Sequence, residues 1–251
     1  MIEALRRTGV RFAILGAGAY LVFLVANLPA SWFGYALERS SGGAVALGDP
    51  RGTVWKGQGT LAVRSRDAYR SVVDIEWRCN PLSVFTGRLN VALSGANLRA
   101  SLSLGPRSVR LQNVDITAPV ALIAQAIPTT AFAKPEGRLR IVADSFEIDA
   151  ASVRGAATVD WAEAGLGGIA RIGDYRLQIT GSGERAAVRL STLRGDLRVN
   201  GNGEWRAAQP QFVMRGVAEI SPGRADLEPL LQLVAGQGAG TSRPFEWVMA
   251  L

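Results

Sequence analysis

Two pairs of carboxylates, Asp74 with Glu76 and Glu147 with Asp149, are the residues of this sequence whose spacing could support catalysis. Paired carboxylates carry out the acid and base steps of glycoside hydrolysis. Residues i and i+2 of a strand point to the same face, so each pair would share one face. A solvent-exposed polar face carries such pairs without any catalytic role, and we favour that interpretation over a carboxylate hydrolase.

The composition excludes several other catalytic and metal sites. The 251-residue chain contains no histidine and a single cysteine, Cys79. It can therefore form neither a Ser-His-Asp or Cys-His catalytic set nor a His- or multi-Cys-ligated zinc site, and no internal disulfide. We expect Cys79 to be a small buried apolar residue, with pairing to a cysteine of another chain as the alternative.

The sequence also lacks the common ligand-binding loops. No acidic cluster has calcium-loop spacing, and no GxxxxGK[ST] phosphate loop occurs. The glycine-rich string at 195–203 is typical of strands and turns, with Asn200-Gly201 and Asn202-Gly203 as hairpin turn signals. The sequence therefore predicts no enzyme, no cofactor, and no catalytic, cofactor-binding or metal-ligating residues.

The chain is basic, with 28 Lys and Arg against 21 Asp and Glu and a net charge of +7. Basic proteins can bind nucleic acid or anionic lipid. The arginines are scattered among apolar residues and are not interleaved with aromatic residues. We therefore expect no nucleic-acid binding.

The N-terminal segment predicts a membrane anchor. Residues 12–28 carry no charge and, at about 1.5 Å per residue, cover about 25 Å. Arginines precede this run and aromatic residues follow it, namely Arg6, Arg7, Arg11, Trp32, Phe33 and Tyr35. The positive-inside rule then predicts a cytoplasmic tail over 1–11, a transmembrane signal anchor over 12–33 and a periplasmic body over 34–251 of an inner-membrane protein. A cleaved signal peptide, which needs an A-x-A-like site, and a buried soluble helix are the alternatives.

Beyond residue 50, apolar and polar residues alternate with a period of two, which predicts antiparallel strands with one solvent-exposed face. Glycine or proline separates the runs about every ten residues. The runs are 60–64, 71–77, 88–93, 101–104, 109–116, 138–142, 157–161, 175–179, 188–190, 196–200 and 212–215. The apolar face can be hidden in a curved sheet, a sandwich or an open groove, and the periodicity does not choose among them.

Two segments interrupt the alternation and predict short helices, 119–127 and 225–234. Each carries a proline, Pro119 or Pro229, near its start, as the first turn of a helix allows. Each follows strands of similar type, which suggests a duplication of residues 56–127 and 152–235 with a linker around 128–137. The predicted fold is mainly β, with a transmembrane helix and these two helices, which could cap an edge of the sheet.

The string Gly52-Thr53-Val54-Trp55-Lys56-Gly57 is the sharpest local motif. It predicts a strand on which the Trp55 ring packs inward, with glycine allowing close backbone approach. A platform for stacking a sugar or a base is the functional alternative. The other tryptophans of the body, namely Trp77, Trp161, Trp205 and Trp247, are expected in the core near strand ends.

Several strings together resemble a known family, type II secretion system protein N. They are GTVWKG at 52–57, W-x-x-x-P-L at 77–82, GRL at 87–89, PEGRLRI at 135–141, GAATVDWAEAGL at 155–166, IGDYRLQITG at 172–181, LRGDLRVNGNGEW at 193–205 and LEPLL at 227–231. The resemblance covers most of the chain in the expected order, and its specificity lies in that order and spacing.

The resemblance implies a non-enzymatic structural or assembly component of type II protein secretion, anchored in the inner membrane with its bulk in the periplasm. Its expected partners are inner-membrane platform proteins of that system, with the secretin as a further candidate. Exposed strand edges could bind them by β-augmentation. A lipid-binding or lipid-transfer β-groove of the cell envelope, AsmA-like, is the alternative, because an apolar concave face would suit an acyl chain.

Overall fold

The strands form one antiparallel sheet in which chain order is also spatial order. The computed structural model describes residues 15–65, 68–121, 135–166, 169–206 and 211–250. The strands are β1 (Val45–Gly52), β2 (Lys56–Ser65), β3 (Ala68–Asn80), β4 (Leu89–Gly95), β5 (Leu98–Leu104), β6 (Ser108–Pro119), β7 (Glu136–Asp149), β8 (Val153–Leu166), β9 (Ile169–Gly183), β10 (Arg185–Gly195), β11 (Leu197–Arg206), β12 (Gln211–Ile220) and β13 (Ser242–Ala250). The prediction of a mainly β meander is confirmed, and the sheet is open, with β1 and β13 at its two edges.

The eleven alternating runs of the sequence correspond one to one with β2–β12. The sequence missed both edge strands. In β1 the string Gly48-Asp49-Pro50 reads as a turn, and here it forms an irregularity in which the pairing with β2 slips and Asp49 takes a φ of 45°. In β13, Pro244 weakens the strand signal, since proline is tolerated only at sheet edges.

The interpretation of Asn200-Gly201 and Asn202-Gly203 as hairpin turns is wrong. Both dipeptides lie inside β11 and are paired with β10 on one side and β12 on the other. A Cβ on Gly201 or on its partner Gly216 would come within 3.0 Å or 2.7 Å of the Phe245 ring. These glycines therefore make room for an aromatic side chain on the apolar face.

One face of the sheet is apolar and the other is polar. The buried residues of the apolar face form three clusters along the sheet, which include Trp77, Phe146 and Leu231 respectively. The polar face carries a row of alternating charges, one residue from each of five adjacent strands. This charge row consists of Arg99, Asp115, Arg140, Asp160 and Arg176.

Ion pairs within the charge row fix the register of the central strands. Both Nε and Nη2 of Arg140 donate to Asp115, at 3.1 and 2.9 Å, and Arg176 donates to Asp160 in the same way at 2.6 and 2.9 Å. Slipping one strand by one residue would turn its charge to the apolar face. The row therefore opposes register errors.

The sheet is accompanied by α1 over residues 15–26, α2 (Ala30–Ser40), α3 (Pro81–Val84) and α4 (Glu228–Ala235). A 3-10 turn at Ala225–Leu227 leads into α4, so the predicted helix at 225–234 is confirmed. In the predicted helix at 119–127, Pro119 ends β6, residues 120–121 are helical, and residues 122–127 lie outside the described part. The proposed duplication stays a prediction, with its two copies falling on β2–β6 and β8–α4.

Among the described residues, none of the helices has both the length and the apolar character needed to cross a membrane. The predicted tail 1–11 and the first residues of the predicted anchor, 12–14, lie outside the described part. Within the anchor range 12–33, α1 ends at residue 26 and the chain leaves the helical conformation before α2 begins at Ala30. The C-terminal part of that range therefore belongs to a second helix.

Candidate functional site

The two carboxylate pairs lie on the polar face and do not meet. They stand on β3 and β7, four strands apart, which is about 19 Å along the sheet. Asp74 accepts a hydrogen bond of 2.6 Å from Thr60, and Glu147 accepts one of 2.9 Å from Arg110. One carboxylate of each pair therefore bonds a neighbouring strand, Asp74 on β3 and Glu147 on β7.

The fourth carboxylate, Asp149, closes the turn between β7 and β8. Ser152 Oγ donates to it at 2.6 Å and the backbone N–H of Ala151 at 2.8 Å. The hydroxyl of Ser152 and then this N–H hold the pKa of Asp149 below its usual range. A general acid needs the opposite shift, so Asp149 serves the turn. No cluster of three metal-ligating side chains occurs among the described residues.

The GTVWKG motif joins the N-terminal segment to the sheet. Val54 N–H donates to Leu28 O at 2.9 Å, and the indole Nε1 of Trp55 donates to Val25 O at 2.7 Å. Both acceptors lie at or just beyond the C-terminal end of α1, where a helix leaves its last carbonyls without intrahelical partners. Val54 and Trp55 form the bend between β1 and β2, so the prediction of Trp55 on a strand is wrong. We call residues 25–29 and 53–55 the junction.

Trp77 of β3 packs against the junction and bonds its backbone. Its ring is fully buried, and its Nε1 donates to Thr53 O and Val54 O at 3.2 and 3.1 Å. Phe33 of α2 stacks on the indole with ring centroids 4.7 Å apart and planes 12° apart. Phe33, the last residue of the predicted anchor 12–33, is therefore part of the core. Trp77 lies in the interior of β3, as Trp161 and Trp247 do in their strands, and not near a strand end.

Cys79 of β3 also bonds the junction. Its backbone N–H donates to Trp55 O at 2.6 Å, and its side chain is buried in the cluster of Trp77. Burial raises the pKa of the Cys79 thiol, which disfavours the reactive thiolate. The side chain therefore has the packing role expected from the sequence.

Helix α2 packs along the edge strand β1. Ala30 and Gly34 are buried against the sheet, and a Cβ on Gly34 would lie 3.3 Å from Cβ of Leu47. At the other end of α2, the Tyr69 hydroxyl donates to Glu38 at 3.0 Å. The helix therefore covers the β1 edge. The apolar spacing 30, 33, 34 and 37 is the signal by which the sequence could have revealed it.

The opposite edge, β13, is held by a buried arginine that the sequence analysis missed. Arg243 is 6% exposed and bonds Glu228 of α4 as well as the carbonyls of Gly236 and Gly240. These bonds satisfy the guanidinium and tie α4 to the edge strand. Nothing in the sequence separates this arginine from the exposed ones, because its charged partner, Glu228, lies 15 residues earlier on α4.

The backbone of β13 offers hydrogen-bonding groups to a further strand. Ile220 N–H donates to Thr241 O, which makes 220 and 241 a hydrogen-bonded pair of the β12–β13 ladder. Such pairs recur at every second residue. The N–H groups of Glu246 and Val248 therefore point away from β12, towards the free edge.

Comparison with known proteins identifies the family. The family model described as Type II secretion system (T2SS), protein N matches residues 43–245. The chain belongs to the type II secretion system protein N family. The match runs from just before β1 into β13 and confirms the resemblance seen in the sequence strings. No curated protein and no solved structure matches the chain.

Membership of the protein N family makes the chain a component of type II secretion, located in the cell envelope, and implies interaction with other components of that system. Within the matched range, the GTVWKG motif is half of the junction. The other half, residues 25–29, precedes the match.

Proposed function

We propose that the chain is a non-enzymatic structural component of type II secretion. The part of the predicted anchor 12–33 that ends with α1 holds it in the inner membrane, residues 1–11 lie in the cytoplasm, and the sheet lies in the periplasm. Its partners are the inner-membrane platform proteins, with the secretin as a further candidate. The observation that carries this proposal is the junction, because it ties an exposed apolar segment to a sheet that presents a free edge elsewhere.

The junction suits an anchored protein because it is rigid. Five large apolar side chains of α1 are each more than 60% exposed, namely Leu15, Tyr20, Leu21, Val22 and Phe23. An exposed apolar helix of this kind is costly in water and favourable in lipid. Hydrogen bonds from Val54 and Trp55 fix the end of α1 on the sheet, so the position of the sheet follows that of the anchor.

The free edge suits a scaffold. Thirteen strands at about 4.8 Å spacing place β13 about 58 Å from β1 along the sheet. A partner that adds a strand to β13 is therefore held well away from the junction. Binding through a sheet edge uses backbone hydrogen bonds for affinity and neighbouring side chains for specificity.

The test is a pair of measurements on the full chain in a host with a working type II system. A phosphatase fused after Leu251 should be active, since the C-terminus is periplasmic, and deletion of the chain should remove secreted enzymes from the medium. An inactive fusion would refute the topology. Normal secretion without the chain would refute the role.

A second candidate function, lipid binding in a β-groove, is favoured by one row of the apolar face. Leu104, Val109 and Ile148 face the apolar side yet are 37%, 41% and 37% exposed. An acyl chain could cover such a row. Mass spectrometry of the purified chain tests this candidate. A stoichiometric co-purifying lipid would support lipid binding, and the absence of lipid would favour the structural role in secretion.

A further inference from the structure

The short helix α3 presents an exposed apolar tip between β3 and β4. Leu82, Val84 and Phe85 are 70%, 49% and 89% exposed, and we call these three residues the apolar tip. Single exposed apolar residues are normal on a protein surface, whereas a group of three large ones marks an interaction site.

Hydrogen bonds hold the helix that carries the apolar tip in place. Asn80 caps α3 by accepting from Leu82 N–H at 3.0 Å, and the buried Ser83 hydroxyl donates to Asn80 O at 2.6 Å. The same hydroxyl accepts from Asn90 N–H at 3.2 Å, which ties the turn to β4. The fold therefore holds these side chains outward instead of leaving them on a loose loop.

The apolar tip lies at the same end of the sheet as the junction. It follows directly on β3, whose Cys79 N–H donates to Trp55 O, and Trp55 in turn donates to Val25 O. Lys56 and Arg78 are paired at this end of β2 and β3. Two hydrogen bonds therefore separate the strand that carries the tip from the end of α1.

A basic depression adjoins the apolar tip on the polar face. It has a volume of about 550 Å³, and its lining includes Arg78, Arg88 and Arg110. No carboxylate is among its lining residues, although Arg110 also bonds Glu147 from the side. Guanidinium groups in such a setting match the geometry and the charge of phosphate.

We propose that the apolar tip inserts into the membrane interface beside the anchor, while Arg78 and Arg88 bind the phosphates of lipid headgroups. The inference rests on the proposed membrane anchoring of the N-terminal segment. Apolar side chains flanked by basic ones are the arrangement by which proteins attach to a bilayer surface. Two attachment points fix the orientation of the sheet, with the end that carries the β1–β2 and β3–β4 connections facing the lipid.

A bilayer fits the apolar tip better than a protein partner does. Each side of a standard protein interface buries about 800 Å², which is far more than three side chains supply. The exposed apolar helix α1 ends at the same end of the sheet as the tip, so lipid is already present there once the anchor is inserted. The basic depression adds charge complementarity to headgroup phosphate.

The experiment measures quenching of a fluorescent label by doxyl lipids. The full chain is reconstituted in vesicles of phosphatidylethanolamine and phosphatidylglycerol, with a label on Val84→Cys at the tip. The matched control is Ala96→Cys, an exposed residue of the β4–β5 turn at the opposite end of the sheet. Val22→Cys in α1 reports the anchor. The unmodified chain is the labelling blank, because its own thiol at Cys79 is buried.

Quenching several-fold stronger at position 84 than at position 96, together with quenching at position 22, is the expected result. Quenching at 22 with equal values at 84 and 96 would overturn the inference and leave the anchor in place, with a protein then the occupant of the tip. No quenching at 22 would refute the anchoring itself and this inference with it.

Variants of the tip and of the depression separate their contributions. Leu82→Ser with Phe85→Ser should reduce quenching at position 84 several-fold, and both residues are too exposed to matter for folding. Arg78→Gln with Arg88→Gln should reduce it most in vesicles rich in phosphatidylglycerol. Leu193→Ser, an exposed apolar residue of β10, should leave it unchanged. Unchanged quenching in both double variants would contradict the proposal.

Discussion

The indole of Trp77 occupies the space that a side chain at Gly57 would need. A Cβ on Gly57 would lie 2.3 Å from Cζ2 of Trp77 and 2.5 Å from Arg51 O. We therefore expect Gly57→Ala to push Trp77 out of its bonds to Thr53 and Val54 and to destabilise the fold by about 1–3 kcal/mol, the usual cost of overpacking a core. The measurement is the midpoint of urea unfolding.

The control for Gly57→Ala comes from the adjacent edge strand. A Cβ on Gly48 of β1 would lie 3.6 Å from Thr60 O, an ordinary contact. Gly48→Ala should therefore unfold close to the wild-type midpoint. Equal midpoints for the two variants would contradict the role assigned to Gly57.

The same residues show what the sequence could reveal about the site. The string Gly52 to Gly57 stood out, and an inward-packing Trp55 ring with close backbone approach at glycine was expected from it. The ring on Gly57, however, is that of Trp77, and Trp55 bonds the end of α1 instead. Trp77 lies 20 residues beyond Gly57, and Val25 lies 30 residues before Trp55. Partners this far away along the chain leave no local periodicity, so only the fold could identify them.

At the scale of elements, cross-strand ion pairs make the sheet sensitive to acid. Arg140 holds the pKa of Asp115 below its usual range, Arg215 does the same for Glu246, and Arg243 for Glu228, mainly through hydrogen bonds. A carboxyl whose pKa is lowered by folding binds fewer protons in the folded state. Its contribution is present above the unfolded pKa of about 4 and is lost as the pH falls through the lower folded value.

We therefore expect the midpoint of urea unfolding to fall as the pH is lowered below about 4. The pairs Arg140–Asp115 and Arg215–Glu246 are solvent-exposed, so salt should weaken them. The fall should therefore be shallower at about 1 M salt, where charges are screened within about 3 Å. Asp115→Asn should also be less sensitive to acid than the wild type. A midpoint that stays constant or rises towards low pH would contradict this account.

The elements that alternate cleanly were predictable, and the others were not, for a physical reason. Strands β2–β12 have neighbours on both sides and one buried face, so their apolar period is two. The edge strand β1 contains Asp49 and Pro50, and β13 contains Pro244, residues that an edge tolerates and a central strand does not. The asparagine–glycine pairs at 200–203 resembled turns, because the need for space under Phe245 cannot be read locally.

At the scale of the whole molecule, the two edges of the sheet are treated differently. Helix α2 packs along β1, and the irregular pairing at Asp49 distorts that edge further. Among the described residues no element pairs with the outer side of β13. Its inner side pairs with β12, and its Arg243 bonds Glu228 of α4. Open edges invite pairing with other chains, and proteins usually block them. Blocking one edge and not the other is consistent with use of β13 as a binding edge.

The polar face carries exposed apolar side chains at the β13 edge. Val217 and Val248 are 46% and 59% exposed there, with Arg215 and Glu246 paired between them. A strand added to β13 would therefore find apolar neighbours on its outer face beside Val248. It would continue the apolar face beyond Trp247 on the inner side. This pattern favours an uncharged, β-branched segment of another secretion component as the partner.

Val248→Pro tests the edge directly. Proline removes the N–H that points to the free edge, while the bonds of β13 to β12 use the neighbouring residues, so the fold should persist. We expect several-fold less secreted enzyme in the medium at an unchanged level of the chain. Val217→Lys is the matched control, because it replaces the other exposed valine of this face, one strand further in, and leaves the backbone of β13 unchanged. Secretion by this variant should stay near the wild-type level. Wild-type secretion by Val248→Pro would refute strand addition at β13, and equal loss in both variants would assign the effect to the exposed valines and not to the backbone. A second copy of the chain could also supply a strand to β13, and Val248→Pro would then change the oligomeric state. Pairing with another secretion component instead predicts the same oligomeric state for Val248→Pro and the wild type.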